Sequence, residues 1–364
     1  MSDALLPLAE RVGAVAAPVV PTHPDATIWR AAAPADVDAL LAFFADVARA
    51  DHPNWTETRD EVLEAFELPH IDPARDTLVG LAADGSVLAY GTVVVPPGQE
   101  TLVRAIVLGA VRPDVRRRGI GTALIEWQLA RALQVFAGSP ARLPGWIMGY
   151  ADERAPDAAR LLQRHGMPLT RHFFELQRDL ARPVDPVPLS DTARRAGVRI
   201  VPWADSLAES ARLARNAAFA DHWGSQSTSR ESWAGLVTGE TFAPGLSFLA
   251  TVPDDGAPDD GAPADGAPAG ERVVAFVLAL RNEGDWAGQG FTSTYVQLVG
   301  VVREHRGSGL ARALLAEHLA AAAAAGLERA TLDVDAENPT GALGLYRGMG
   351  FEVANSHQSY VRVL

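Results

Sequence analysis

The chain has 364 residues, 48% of them hydrophobic and 21% charged, which is too long for one ordinary domain and too apolar for general disorder. It holds no cysteine, so disulfides, thiolate metal sites and a cysteine nucleophile are excluded. The formal net charge of −13 argues against a nucleic-acid surface, which needs basic side chains to displace counterions.

Residues 1–26, rich in Ala, Val and Pro, show neither a helical nor a strand period and read as a loosely packed extension. Their acidic start lacks the basic-then-apolar order of a signal peptide, and no apolar run approaches a membrane span. A soluble, cytoplasmic protein is expected. A first domain over 27–180 then opens with a strand at 28–32 and a helix at 36–50, where Val37, Leu40, Leu41, Phe44 and Val47 fall at helical spacing. A helix at 58–67 follows, then strands at 77–82, 87–95 and 102–111. Arg116-Arg117-Arg118-Gly119-Ile120-Gly121 sits at the turn into a helix that runs to Phe136. A strand at 146–150, a helix at 155–165 and a closing strand pair to Leu180 complete this half. Residues 181–197 carry Pro183, Pro186 and Pro188 and read as a linker.

The order repeats over 198–364. A strand at 198–203, helices at 205–219 and 229–237, and strands at 247–252 and 272–280 lead to a strand at 295–301. Between two of these strands, 253–270 holds three copies of Asp-Gly-Ala-Pro, which offer no large apolar group and predict a disordered hairpin tip. Arg306-Gly307-Ser308-Gly309-Leu310-Ala311 repeats the glycine device before an alanine-rich helix at 309–325. A strand at 330–335, a helix at 339–348 and a closing strand pair at 351–353 and 359–363 end the chain.

Both loops read Arg-x-x-Gly-x-Gly/Ala at a strand-to-helix turn. Such a turn leaves backbone N–H groups free at the positive end of a helix, which is a cradle for a phosphate or pyrophosphate. Glycine lets the ligand approach the backbone. A dinucleotide fingerprint wants a third glycine, but Leu124 and the pair Ala311-Arg312 stand there, so that class fails.

Beyond the second loop come Asp333, Asp335, Glu337, Asn338, Ala342, Leu345-Tyr346 and Gly350-Phe351. Arg-x-x-Gly-x-Ala followed by Asn-x3-Ala-x2-Leu-Tyr-x3-Gly-Phe resembles the acetyl-CoA-binding core of the GNAT superfamily of N-acetyltransferases. The match is close over 291–364 and upstream holds only in element order. The resemblance implies an α/β (α+β) fold of two tandem GNAT-like domains, each a mixed, mostly antiparallel sheet flanked by helices. The fourth and fifth strands of such a sheet splay, and the pantetheine arm of acetyl-CoA lies in the gap.

Acetyl-CoA as acetyl donor would then sit with its pyrophosphate on Arg306, Gly307, Ser308, Gly309, Leu310 and Ala311, and with its arm on Asn338. Backbone at Val299 and Val301 would supply the oxyanion donor, and Tyr346 the proton for the departing thiolate. No metal is implied. The general base stays open: His222 titrates in the right range, with Asp221 beside it toward the acceptor, while Asp333, Asp335 and Glu337 are alternatives as base or as acceptor-orienting groups.

Aligning Gly166 with Gly350 puts Leu162 where Tyr346 stands and Arg154 where Asn338 stands. The first half therefore keeps a phosphate cradle at Arg116, Arg117, Arg118, Gly119, Ile120 and Gly121 and lacks the acid, so it is expected to be non-catalytic. The tandem layout suits the mycothiol synthase subtype, although Tyr295 and Gln297 stand where that subtype wants an acidic residue. The expected function is acetyl transfer to a primary amine of a small-molecule acceptor, by direct attack in the C-terminal domain. No nucleic-acid or membrane partner is expected, and the chain is a monomer or homodimer. The competing reading, a non-catalytic acyl-CoA-binding or sensor protein, is disfavoured by Tyr346 and Asn338 beside an intact loop.

Overall fold

The structure, a computed structural model, describes residues 5–52, 57–253, 270–337 and 341–364. The Asp-Gly-Ala-Pro repeats and Asn338 lie outside the described residues. In chain order the first half runs α1 (Leu8–Val12), β1 (Ile28–Arg30), α2 (Val37–Asp51), α3 (Arg59–Glu67), α4 (Pro73–Asp76), β2 (Thr77–Leu81), β3 (Val87–Val94), β4 (Val103–Val111), α5 (Ile120–Ala137), β5 (Gly145–Asp152), α6 (Pro156–Arg164) and β6 (Leu169–Asp179). There follow α7 (Asp191–Arg195), β7 (Arg199–Pro202), α8 (Ala208–Phe219), α9 (Arg230–Thr238), β8 (Phe248–Pro253) and β9 (Glu271–Leu280). Then come α10 (Trp286–Gln289), β10 (Ser293–Val301), α11 (Leu310–Ala324), β11 (Arg329–Asp335), α12 (Ala342–Gly348) and β12 (Glu352–Val363).

The chain divides into two compact units, residues 1–173 with 356–364 and residues 174–355. In the first, the strands are ordered β1-β2-β3-β4-β5-β12. Neighbours from β1 to β4 are antiparallel, β4 and β5 run parallel, and His357–Val363 returns antiparallel on β5. In the second the order is β7-β8-β9-β10-β11-β6, antiparallel from β7 to β10 and parallel between β10 and β11. Parallel neighbours need a crossover, and α5 and α11 provide it in the two units.

The division differs from the expected boundaries at 180 and 198. It falls within β6 and near the start of β12, each a single continuous strand where a strand pair is expected from sequence. The end of the chain completes the first unit's sheet, and the end of β6 belongs to the second. A strand's own pattern fixes which face is buried and says nothing about which neighbour it pairs with.

The N-terminal extension is also better packed than expected. Leu8 is fully buried, its N–H donates to the Ala141 carbonyl at 2.8 Å, and Gly145 lacks a Cβ where the Leu8 side chain passes. A helix of five residues is too short to show its period in sequence.

The second unit buries one titratable group its core does not need. His318 on α11 is wholly buried, and its Nδ1 donates to the Leu246 carbonyl at 2.8 Å. Nε2 then carries a lone pair with no partner among the described residues. Burial pushes the ring down to about 4. The unfolded chain binds this proton near pH 6.5 and the folded chain resists it, so stability is complete above pH 6.5 and falls as pH drops toward 4. The full penalty is about 3 kcal/mol, since a tenfold weaker hold on the proton costs about 1.4 kcal/mol. His318→Asn, whose amide can keep the bond to Leu246, should flatten this slope in urea melts taken from pH 4.5 to 7. An unchanged slope would assign the acid sensitivity elsewhere.

Candidate active site

The second unit opens where two parallel strands part. β10 and β11 are paired only over Ser293–Tyr295 and Arg329–Thr331. On its other side β10 stays paired with β9 out to Val301. Alternate residues of a strand send their N–H and C=O groups to opposite sides, so the ladder leaves part of the 297–301 backbone facing the gap. A register shift between Val296 and Leu298 adds a bulge at Gln297, at the start of this stretch. Val299 and Val301 both lie on it. Between them, Gly300 is required because a Cβ there would collide with the Phe276 ring.

The gap leads to the second glycine loop. Gly307 and Gly309 take φ of +75° and +83°, and a Cβ at either would meet no protein atom within 4 Å. Gly309 caps α11 in the left-handed region and gives the first N–H groups of the helix no side-chain hydrogen bond. Leu310 turns its side chain into the core, 1% exposed, and offers the loop only its backbone, with Ala311 next to it. The Ser308 hydroxyl donates to the His305 carbonyl.

Arg306 is used as a brace. Its guanidinium donates to the carbonyls of Val301 and Ala218, at 3.3 and 2.8 Å, and lies 3.5 Å from Asp221. Asp221 also accepts from Arg303 at 3.0 Å. Asp221 thereby ties the loop to the end of α8. Strand β10 runs six residues from Tyr295 to its end at Val301, on the order of 20 Å, before the turn that carries Arg303. His222 follows Asp221, with its ring against Phe219 at 5.5 Å and Nδ1 3.4 Å from the Trp223 carbonyl. No hydrogen bond, ion pair or ring contact among the described residues joins it to Tyr346 or Asp333.

At the closed end of the gap stand Tyr346, Tyr295 and Asp333. Tyr346 is the fifth residue of α12, which follows Gly341 at φ +72°. Its ring packs edge-on against Phe351 at 5.8 Å and is 8% exposed. Burial pushes its phenol up to about 12. Tyr295 donates to Asp333 Oδ2 at 2.8 Å, a pair that the sequence did not reveal because it depends on the β10–β11 register. Asp333 is exposed. Asp335 is not: it is 6% exposed and accepts from the Glu337 N–H at 2.9 Å, shaping the turn that ends β11.

The first unit repeats the opening with different fittings. β4 and β5 pair over Val103–Ile106 and Gly145–Met148 and then part, and β4 keeps an unbroken register with β3. A cleft of about 620 Å³ lies there, lined by Val107, Tyr150, Arg154, Leu162 and the first loop. Leu162 occupies the place a phenol holds in the second unit. Arg117 is forced to φ +65°, where the second loop has Gly307. Its three arginines are paired within the unit: Arg116 with Asp51 through two bonds of 2.7 Å, Arg117 with Asp157, and Arg118 with Asp25 at 3.6 Å. His23 reaches over the loop, with Nε2 2.8 Å from the Arg118 carbonyl and near the open side of Gly119. Ile120 is buried like Leu310, and Gly121 faces Leu161.

A splayed parallel pair that opens onto a glycine-capped helix, built twice in one chain, is the architecture of a CoA-dependent acyltransferase with tandem domains. The model of the Acetyltransferase (GNAT) family matches residues 40–167 and 236–351. The chain belongs to the GNAT acetyltransferase family, and acetyl-CoA is its acetyl donor. It is 30% identical to a mycothiol acetyltransferase of Geodermatophilus obscurus, over 87% of this chain and 91% of that one. A mycothiol acetyltransferase of Kocuria rhizophila is 31% identical, over 74% and 80%.

Among solved structures, a GCN5-related N-acetyltransferase from Sphaerobacter thermophilus superposes with a TM-score of 0.70 at 24% identity, covering 94% of this chain and 97% of that one. A tandem GNAT protein from the clavulanic acid biosynthesis pathway gives 0.61 at 18%, covering 92% and 98%. At these identities the likeness is one of fold. No helix among the described residues is long and apolar enough to cross a membrane.

Proposed function

We propose that the second unit transfers the acetyl group, and that the acceptor is the primary amine of a small molecule of the kind des-acetylated mycothiol presents. The observation that carries this reading is the coincidence, in one unit, of the β10–β11 gap, the bulge at Gln297, an open glycine cradle and Tyr346. The first unit has the gap and a loop, without the bulge or the phenol. The mycothiol acetyltransferases, alike over most of their length, supply the acceptor class.

Acetyl-CoA supplies the activated acetyl group. The N–H groups at Gly307, Gly309, Leu310 and Ala311 hold its phosphates, helped by the positive end of α11. The backbone at Val299 and Val301 lines its arm and offers an N–H to the carbonyl oxygen as negative charge develops there. Tyr346 keeps a proton on Oη at working pH and delivers it to the departing sulfur as the amine nitrogen bonds to the acetyl carbon. The acceptor attacks as the neutral amine, having given its ammonium proton to water. The surplus proton its nitrogen carries after attack also leaves to water on the exposed side of the gap, and a proton from water restores the Tyr346 phenol. The first unit holds a phosphorylated ligand without transfer, since Leu162 has no proton to give. The enzyme works in the cytoplasm, as a monomer or homodimer.

The test is release of free CoA from acetyl-CoA with des-acetylated mycothiol, glucosamine, cysteamine and spermidine as acceptors. We expect kcat/KM for des-acetylated mycothiol to exceed the others by about tenfold or more, the difference one well-made polar contact supplies. A better rate with another amine would reassign the acceptor. Binding of acetyl-CoA with no turnover on any of them would favour a sensor.

A further inference from the structure

The parallel pairing of β10 with β11 ends at Tyr295 and Thr331, and the Thr331 hydroxyl donates to the Thr294 carbonyl at 3.3 Å, pinning that last pair. Two residues further along β11, past the pairing, Asp333 projects on the same face as Thr331. The Tyr295 phenol spans the fork and donates to Asp333 Oδ2 at 2.8 Å. The two side chains therefore meet where the strands separate.

We propose that Tyr295 is a specificity-determining positioning residue: it clamps the Asp333 carboxylate at the fork of β10 and β11, where that carboxylate takes the cationic ammonium group of the acceptor. This rests on the reading of the second unit as the site of transfer, and it names the property the acceptor must have.

The chemistry follows from what each partner can offer. Burial, together with the negative charges of Asp333 and Glu175, holds the Tyr295 phenol well above its ordinary range, so it is a donor and never the base. Asp333 Oδ2 accepts that bond, which fixes the plane of the carboxylate. A carboxylate presents only acceptor sites, and Asp333 is exposed, within reach of an incoming molecule. What such a group selects is a donor carrying positive charge: a primary ammonium in preference to an alcohol or a neutral thiol. An aspartate free to rotate would lose rotamer entropy when it binds a small cation, and the tyrosine removes that cost in advance.

A bland alternative is that the phenol and carboxylate merely staple β10 to β11. The two roles part in kinetics. Wild type, Tyr295→Phe, Asp333→Asn and the double variant are compared, with acetyl-CoA saturating and des-acetylated mycothiol, glucosamine or spermidine varied. Asp333→Asn should raise the KM of the amine by about tenfold or more, the loss expected for a charge-assisted bond. Tyr295→Phe should raise it by about three- to tenfold, as one neutral hydrogen bond would. In both, the KM for acetyl-CoA and the thermal midpoint stay put. The double variant should be no worse than Asp333→Asn alone, because the phenol acts only through the carboxylate.

An amine KM that does not move in Tyr295→Phe, an acetyl-CoA KM that moves with it, strictly additive effects, or a wild type that acetylates none of the three amines would each overturn the assignment. Tyr346→Phe, run alongside, separates the two proposals. A normal kcat there with the Asp333 pattern intact removes the acid and leaves the clamp, and the reverse result removes the clamp and leaves the acid.

Discussion

Replacing Tyr346 with Phe should lower kcat by about a hundredfold while leaving the dissociation constant of acetyl-CoA unchanged. The ring stays, and with it the edge-on contact to Phe351 at 5.8 Å, so α12 has no reason to move. What is lost is one proton at Oη. Burial holds that proton up to about 12, so the phenol is fully loaded at any pH at which the enzyme works. No described residue accepts a hydrogen bond from it, which leaves it available to the sulfur. The wild-type kcat should accordingly show no basic limb from Tyr346 below pH 10. Turnover of Tyr346→Phe within about twofold of wild type would assign the proton to another donor, since a lost general acid costs about 10²-fold or more.

The second large effect separates the two cradles. Ala311 and Gly121 are each the second residue of a helix, α11 and α5, where an ordinary side chain meets no backbone strain. Ala311→Glu places a carboxylate among the N–H groups that would hold the pyrophosphate, and like charges repel at close range. Acetyl transfer should fall more than about a hundredfold, a loss of roughly 3 kcal/mol. Gly121→Glu should spare most of the activity, because the first unit has Leu162 in place of the phenol. Calorimetry with acetyl-CoA reads binding directly. Loss of turnover only in Gly121→Glu would move catalysis to the first unit. One binding event that Gly121→Glu leaves untouched would make the first unit a scaffold.

The recurring parts of this molecule were legible because their physics is local. A glycine at positive φ before a helix, an apolar run before it and a phenol at fixed spacing after it are each set by a few neighbouring residues. The loops at 116–121 and 306–311, the helices they cap and Tyr346 stand where the sequence puts them. Arg306 was legible as a position, and the fold adds what the motif does not show: its guanidinium goes to Val301, Ala218 and Asp221. Arg116 repeats this with Val111 and Asp51. An arginine beside a phosphate loop looks the same in sequence whether it faces the ligand or holds the loop up.

The sequence by itself thus determined the repeat, the class of fold, the two glycine loops and the difference between Tyr346 and Leu162, since all of these follow from spacing along one chain. Only the tertiary structure decided which partners the carboxylates take. Asp221 and Asp333 are equally acidic in sequence. Strand β10 sets them far apart, at the loop and at the fork, and the register of β10 on β11 gives Asp333 its phenol. The structure alone also decided the unit boundaries, with His357–Val363 pairing on β5. Pairing is a contest among all strands for a neighbour, and the period of a single strand does not encode its outcome.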